Sequence, residues 1–209
     1  MIQLFESVKS AMERGENVVL CSILASSGSA PRGAGAKMAV FQNGQALGTI
    51  GGGAVERIAA QQAVELFRTG ASYCQAFCLA PNQVNDIGMI CGGSVTVYFR
   101  FFDHENARDL ELVKTILELL ASGQDAWLVS RMEDGKITAM GTFDEAHGLR
   151  FAELDETMLR PWLTSSAVYR KGEPSYYVEP ISRAGRVYVF GGGHVGKALA
   201  PVLANVGFR

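Results

Sequence analysis

The fold is decided by residues 45–67, which read QALGTIGGGAVERIAAQQAVELF. Residues 45–50 have the pattern of a strand, and residues 37–42 precede them across Asn43-Gly44, a pair that readily takes positive φ. The stretch therefore predicts a hairpin whose second strand runs through three glycines into a helix over 54–67, which ends at Gly70. A strand that continues directly into a helix predicts a fold that mixes both elements.

The rest of the chain extends this mixed pattern in both directions. Apolar periodicity predicts further helices over 4–12 and 106–120, and further strands over 18–24, 73–79, 94–102, 126–131 and 136–143. The fold class is therefore α/β, with a mixed α+β sheet domain over 1–163. Residues 164–185 are rich in proline, glycine and serine and predict a linker with a short strand at 176–178. Residues 186–209 predict the start of a Rossmann domain, a strand over 186–190 and a helix over 195–206.

Composition excludes several classes of protein. The 209 residues carry 19 basic and 21 acidic side chains, a net charge of −2, which does not predict a nucleic-acid surface. The longest apolar stretch, around 18–25, is shorter than the ~20 residues of a membrane span. Because no export signal is present, we expect a cytoplasmic protein whose four cysteines are reduced. Glycine is enriched at 24 residues, about 11% against a usual ~7%, and it is clustered.

The first glycine cluster, residues 28–38, is called the first motif and reads GSAPRGAGAKM. Glycines allow backbone N–H groups to converge on an anion, and Arg32 and Lys37 add positive charge. Ser29, Pro31, Arg32 and Gly35 are therefore candidate cofactor-binding residues. A long flexible turn with a solvated arginine explains the same pattern equally well.

The second motif, residues 48–56, reads GTIGGGAVE and contains the strand-to-helix junction. Such a junction points unpaired N–H groups and the positive end of the helix dipole at whatever binds there. Gly51, Gly52 and Gly53 are costly in chain entropy, which favours a need for close backbone approach. Glu56 lies one turn into the helix, where it either caps the free N–H groups or faces a ligand.

The third motif, residues 86–93, reads DIGMICGG and places a cysteine between an acidic loop and two glycines. A supported, accessible thiolate at Cys91 is able to ligate a soft metal or carry sulfur, although cysteine is more often a small buried hydrophobe. Asp86, Gly92 and Gly93 complete this group of candidates. The spacing of the other cysteines does not predict a structural zinc site.

The fourth motif, residues 187–196, reads VYVFGGGHVG and matches the dinucleotide-binding pattern through Gly191, Gly193 and Gly196. His194 is part of this loop, at a position that more often packs or faces phosphate than takes part in catalysis. The acidic residue expected roughly ~20 positions further on is absent before Arg209. We therefore expect an incomplete nucleotide-binding unit, in which NAD(P) binding is not supported.

The motifs together resemble a known family. The pattern of Gly28-Ser29-x-Pro31-Arg32-x-x-Gly35-Ala36-x-Met38, then Gly48-Thr49-Ile50-Gly51-Gly52-Gly53-x-x-Glu56, then Gly88-Met89-x-Cys91-Gly92-Gly93, is similar to that of the XdhC/CoxI family. Members of that family are accessory proteins for xanthine dehydrogenase and related molybdenum hydroxylases. The fourth motif resembles the start of that family's C-terminal Rossmann domain.

The resemblance implies a cofactor chaperone rather than an enzyme, with no catalytic residue of its own. It implies binding of the molybdenum cofactor, molybdopterin, help with its sulfuration by a cysteine desulfurase, and insertion into an apo-hydroxylase. In that role the Arg32 loop and Gly51–Gly53 would hold the phosphate, Cys91 would contact molybdenum or its sulfido ligand, and Asp86 and Glu56 would accept pterin N–H groups. We also expect a homodimer.

Two other functions fit parts of the sequence. The first is an NAD(P)-dependent oxidoreductase that binds its cofactor at the fourth motif. The incomplete nucleotide-binding unit argues against this function. The second is a cofactor-free dimerising scaffold for the hydroxylase, which analysis of bound molybdenum and pterin would separate from the chaperone.

Overall fold

The structure is a computed structural model that describes residues 1–27, 32–78, 93–181 and 187–205. Within these ranges the helices are α1 (Ile2–Glu13), α2 (Gly53–Thr69), α3 (Ala107–Ser122), α4 (Glu156–Leu159), a 3₁₀ turn (Arg160–Trp162) and α5 (His194–Asn205). The strands are β1 (Val18–Ser27), β2 (Lys37–Phe41), β3 (Ala46–Gly48), β4 (Tyr73–Cys78), β5 (Ser94–Phe102), β6 (Ala126–Glu133), β7 (Lys136–Asp144), β8 (Gly148–Arg150), β9 (Val168–Arg170) and β10 (Ser175–Pro180).

The strands form one antiparallel sheet with two halves. The order is β3-β2-β1-β5-β4-β7-β6-β10-β9, and β8 pairs with the outer part of β7. β4 and β7 share a single register pair, Tyr73 with Lys136, flanked by hydrogen bonds from Cys74 N to Gly135 O and from Ile137 N to Ser72 O. This narrow junction allows the β7-to-β9 half to fold back towards the half that contains β1.

The main core lies where the two halves approach one another. The rings of Tyr98 on β5 and Tyr177 on β10 are 6.4 Å apart, and both side chains are fully buried. α1 and α3 close this core by burying their apolar faces, with Phe5 and Val8 of α1 and Ile116 of α3 among the inward residues. A second core, on the other face of β1, β2 and β5, is covered by α2.

The structure confirms the mixed α/β class, with an antiparallel sheet, and most of the predicted elements. The helix termini follow the predicted signals. Asn106 caps α3 by accepting a hydrogen bond from Arg108 N, and Gly123 and Gly70 end α3 and α2 at φ values of 69° and 64°. The hairpin turn at Asn43-Gly44 has the predicted positive φ, 79° at Gly44.

The segment predicted as a linker, 164–185, contributes strands to the sheet. β10 pairs with β6 over six register positions, and Tyr177, Val178 and Glu179 are buried. Proline, glycine and serine suggested an irregular segment, but Pro180 stands at the strand's end, where a missing N–H is tolerated. The sheet therefore extends to Pro180, and the proposed division into domains stays a prediction.

The start of the predicted Rossmann unit is only partly seen. α5 follows the predicted helix, whereas residues 187–190 do not form a strand, and Tyr188 and Phe190 are 72% and 95% exposed. The strand prediction is wrong over these four residues, because a strand requires backbone hydrogen bonds to a neighbouring strand and none of the described strands lies beside them.

Candidate functional site

The first and second motifs meet at the β2–β3 hairpin. Met38 is the register partner of Gly48, and Thr49 N donates a 2.9 Å hydrogen bond to Lys37 O. Gly48 has φ 86°, and a Cβ there would lie 2.5 Å from Lys37 O. Only glycine therefore allows the second motif to pass so close to the first.

The described ends of the first and third motifs lie on neighbouring strands. Ser27, which ends β1, is the register partner of Ser94, which begins β5 directly after Gly93. Cys78, which ends β4, pairs with the same Ser94 from the other side. The strands on either side of the third motif therefore lie next to the strand that leads into the first motif.

Strand direction places the strand ends that flank the three motifs at one end of the sheet. β1 and β3 run towards this end, because both are antiparallel to β2, and β2 begins there at Lys37. β5 also begins there, and β4 ends there. Five of the predicted site residues, Ser29, Pro31, Asp86, Cys91 and Gly92, lie outside the described residues.

Arg32 and Gly35 are the described candidates of the first motif. The Arg32 side chain is exposed and forms no hydrogen bond with another described residue. Gly35 N donates a 2.9 Å hydrogen bond to Ile23 O, and Gly35 has φ 90°. The loop is therefore fixed to β1 at its second half, while Arg32 stays accessible to a ligand.

Glu56 fills the N-terminal end of α2. Its Oε2 accepts hydrogen bonds from Thr49 Oγ1 at 2.5 Å, Ile50 N at 3.0 Å and Gly52 N at 2.9 Å, while Gly51 N donates to Thr49 Oγ1. The carboxylate thus occupies the anion position that the second motif was predicted to offer. A phosphate at these amides would have to displace Glu56.

Electrostatics favour the ionised form of Glu56. Partial desolvation raises its pKa, but hydrogen bonds from Thr49, Gly52, Ile50 and Gly51 outweigh that effect, and the pKa is lowered overall. The capping interpretation made from the sequence is therefore borne out by the geometry, and the ligand-facing one stays a prediction.

A buried ion pair between Lys37 and Glu179 holds the second half of the first motif in place. Lys37 Nζ lies 2.5 Å from Glu179 Oε2 on β10 and also donates to Gly35 O at 3.2 Å. Both side chains are about 95% buried, with exposed fractions of 5% and 4%. Tyr177 OH donates to the same carboxylate at 3.3 Å.

Sequence analysis named Lys37 but missed Glu179, because it lay in the predicted linker. The available signal was the run Tyr177-Val178-Glu179, which puts a carboxylate on the same strand face as an aromatic ring. A lysine that begins a buried strand requires such an acidic partner.

A small cavity lies at the junction of the first two motifs. It has a volume of about 260 Å³ and is lined by Gly35, Lys37, Leu47, Gly48 and the start of α1. This volume is below the ~300 Å³ at which small-molecule sites usually begin. The cavity therefore holds at most a part of a larger ligand.

The glycines of the fourth motif pack closely together at the start of α5. Gly191 has φ 107°, and a Cβ on Gly196 would lie 2.4 Å from Gly191 O. His194 begins α5 and is exposed, as is Gly193. The third glycine therefore allows the loop to pack directly on the helix, as the dinucleotide-binding pattern requires.

Cys21 and Cys74 fit the hydrophobic interpretation. Burial raises the pKa of Cys21, and it raises the pKa of Cys74 to about 12. Cys74 Sγ contacts Met132 Sδ at 3.3 Å. In the part of the chain that the structure describes, no group of three or more histidine, cysteine or acidic residues is arranged to hold a metal ion. None of the described helices is long and apolar enough to span a membrane.

Both the motifs and the fold have counterparts among known proteins. The fold is a mixed α/β fold whose antiparallel sheet carries glycine motifs at one end. Residues 11–77, which contain the first and second motifs, match the model of the XdhC and CoxI family, so the resemblance is confirmed over these residues.

The fold of the whole chain is also found in a solved structure. A crystal structure of a xanthine dehydrogenase from Bacillus halodurans matches 99% of this chain with a TM-score of 0.73 and 20% sequence identity. The chain spans 60% of the length of that protein. At this level of identity the similarity concerns the fold. A comparison with curated protein sequences found no match.

Proposed function

We propose that the protein is an accessory factor for a molybdenum hydroxylase such as xanthine dehydrogenase. In this role it binds the molybdenum cofactor, supports its sulfuration by a cysteine desulfurase, and passes it to the apo-hydroxylase. The observation that carries the proposal is the meeting of the family's motifs at one end of the sheet, through Lys37 with Thr49 and through Ser27 with Ser94.

The described residues fit part of the cofactor. Arg32 is exposed and offers a guanidinium fork to the phosphate. The amides of the junction before α2 fit less well, because Ile50 N and Gly52 N already donate to Glu56. We therefore assign the phosphate to the Arg32 loop, and the Oε1 atom of Glu56 to a pterin N–H group. Gly51–Gly53 and Gly35, which have no side chains, then allow the ligand to approach the backbone closely.

Cys91, with Asp86, Gly92 and Gly93 beside it, is proposed to contact the metal end of the cofactor. When bound, the cofactor supplies the molybdenum centre on which the hydroxylase depends. A thiolate is a suitable soft donor for that centre or for shielding its sulfido group. Cys21 and Cys74 are less suitable, because burial raises the pKa of both thiols and so disfavours their thiolates.

The test is cofactor content in matched cysteine variants. Wild-type protein, Cys91→Ala and Cys74→Ala are purified from a host that makes the cofactor, and molybdenum and pterin are measured per chain. We expect Cys91→Ala to lose bound cofactor or its sulfuration and Cys74→Ala to retain both. Normal, sulfurated cofactor in Cys91→Ala would contradict the role of Cys91.

The proposal includes a cytoplasmic homodimer with the apo-hydroxylase and a cysteine desulfurase as partners. Light scattering of the purified protein measures the dimer directly. If the protein dimerises and binds the apo-hydroxylase without molybdenum or pterin, the scaffold alternative is correct instead.

A second candidate function is nucleotide binding by the fourth motif. The specific observation in its favour is the close approach of Gly196 to Gly191 O. Fluorescence titration with NADH tests it, with Gly196→Val as the variant that blocks the loop. Saturable binding that this variant abolishes would support the candidate.

A further inference from the structure

A cleft at the start of α3 collects three arginines from three different elements. Arg100 on β5, Arg108 on α3 and Arg131 on β6 line a cavity of about 520 Å³, which we call the arginine cleft. This volume lies within the ~300–1,000 Å³ of small-molecule sites. The carboxylates that line it are Asp109 and Glu153, so three positive and two negative groups leave a net charge of +1.

The arginines differ in how many of their donors the protein already uses. Arg100 is fixed by Asp109 Oδ1 at 2.5 Å, by Phe101 O and by the ring of Phe102, whose centroid is 5.0 Å away. Arg108 donates one 2.8 Å hydrogen bond to Phe151 O.

Arg131 pairs with Glu133, which lies outside the cavity lining, and its buried Nε has no acceptor among the described residues. Each guanidinium group has five N–H donors, and the hydrogen bonds of the described residues use one on Arg108 and one on Arg131, so both keep donors for a ligand.

The wall opposite α3 depends on two unusual backbone positions. A Cβ on Gly141 would lie 2.2 Å from Arg150 O and 2.9 Å from Ala152 N, so residues 150–152 pack directly on the β7 backbone. Phe151 has φ 65°, which is a strained conformation for a phenylalanine. In this conformation the Phe151 carbonyl accepts the hydrogen bond from Arg108. Strained residues of this kind cluster at ligand sites.

The cleft combines charge with an apolar floor. Leu112 and Met140 are 2% and 5% exposed and line the cavity together with Ile137. We propose that the arginine cleft binds a phosphate monoester of a small organic molecule, of mononucleotide size. Arg108 and Arg131 bind the phosphate, the apolar floor packs against the organic part, and Glu153 accepts a hydrogen bond from it. Guanidinium groups from separate elements offer several N–H donors to the oxygens of one phosphate.

This site is distinct from the one under Proposed function. Arg100 lies six residues along β5 from Ser94, which is about 20 Å at the usual rise per strand residue. None of the cleft residues belongs to a glycine motif, so either proposal is able to fail without the other.

The experiment is calorimetric titration with adenosine 5′-monophosphate, with adenosine as the probe that lacks the phosphate. The variants are Arg131→Met and Arg108→Met. Arg57→Met on α2 is the matched control, because Arg57 is exposed and lies outside the cleft. Arg108 is itself exposed, so its variant is expected to keep the fold, and thermal unfolding of each variant without ligand checks this.

We expect saturable binding of the monophosphate, binding of adenosine at least tenfold weaker, and a loss of about tenfold in affinity for each cleft variant, as expected for loss of a charged hydrogen bond. Arg57→Met should bind as the wild type does. Equal binding of adenosine, an equal loss in Arg57→Met, or no saturable binding of the monophosphate would overturn the proposal.

Discussion

Lys37 and Glu179 are 142 positions apart in the chain, yet their side chains meet at 2.5 Å in the interior. The pair joins the first motif to β10, which belongs to the other half of the sheet. Since Lys37 also donates to Gly35 O, the same contact fixes the loop that follows Arg32. A residue far outside the glycine motifs thus helps to shape the candidate site.

Removal of one member of this pair should be strongly destabilising. Lys37→Met leaves Glu179 as an uncompensated buried charge, and we expect a loss of about 3–5 kcal/mol in the free energy of unfolding. The double variant Lys37→Met/Glu179→Leu should recover part of this loss, because neither charge then remains buried. Urea unfolding of the single and double variants measures the coupling. Additive effects would show that the two side chains do not interact.

Loss of Glu56 should weaken the start of α2. Glu56→Ala removes the acceptor for Ile50 N and Gly52 N, and we expect a loss of about 1 kcal/mol, as for other helix caps. Glu65→Ala on the exposed face of the same helix is the control, because its ion pair with Arg68 is well exposed. Equal losses in the two variants would contradict the capping role.

The effect of Glu56 should also depend on pH. Because its pKa is lowered in the folded state, its contribution is complete above the ordinary value of 4.5 and is lost as the pH falls through the folded-state value. Urea unfolding of wild type and Glu56→Ala at pH 7 and at several values below 4.5 should therefore show a narrowing gap. A gap that stays constant or widens in acid would contradict the assignment.

Gly48 should tolerate no side chain. Gly48→Ala combines a φ of 86° with a Cβ 2.5 Å from Lys37 O, whereas Gly44→Ala has a similar φ of 79° and open space around the Cβ. We expect Gly44→Ala to cost about 1–2 kcal/mol, the usual cost of a left-handed residue, and Gly48→Ala to cost clearly more. Thermal unfolding compares the two, and similar midpoints would show that the motifs do not approach as described.

The thiols should differ in reactivity. Burial raises the pKa of Cys74 to about 12 and raises that of Cys21 further, so both should react slowly with iodoacetamide at pH 8. The proposed role of Cys91 requires faster alkylation, which mass spectrometry of timed samples measures. Alkylation of Cys74 at the same rate as Cys91 would argue against a specialised thiol.

The sequence allowed a good prediction of the local elements and of the motifs. The helix ends at Asn106, Gly123 and Gly70 follow from local hydrogen bonding and backbone preference, which a single sequence expresses directly. For Glu56 the sequence left a capping role and a ligand-facing role open. Its use of the Ile50 and Gly52 amides could not be separated from ligand binding without coordinates.

The contacts between the halves of the sheet were beyond the reach of sequence patterns. Glu179 meets Lys37 only because the sheet folds back at the narrow β4–β7 junction, and no local pattern specifies that geometry. A short strand at 176–178 was predicted, but its full extent and its place in the sheet were not, since Pro174 and Pro180 flank a strand whose burial depends on tertiary packing. The position of β10 determines where the chain should be shortened in a truncation experiment. Removal of 164–209 deletes β9 and β10, whereas removal of 187–209 leaves the whole sheet.

The most direct test of the central claim is the molybdenum and pterin content of the chain that ends at residue 186, purified from a host that makes the cofactor. This chain keeps the whole sheet and its three glycine motifs. We predict that it retains molybdenum and pterin in the same amounts per chain as the chain of 209 residues. The absence of both from the two chains, when each is folded, would contradict the claim that this end of the sheet binds the cofactor.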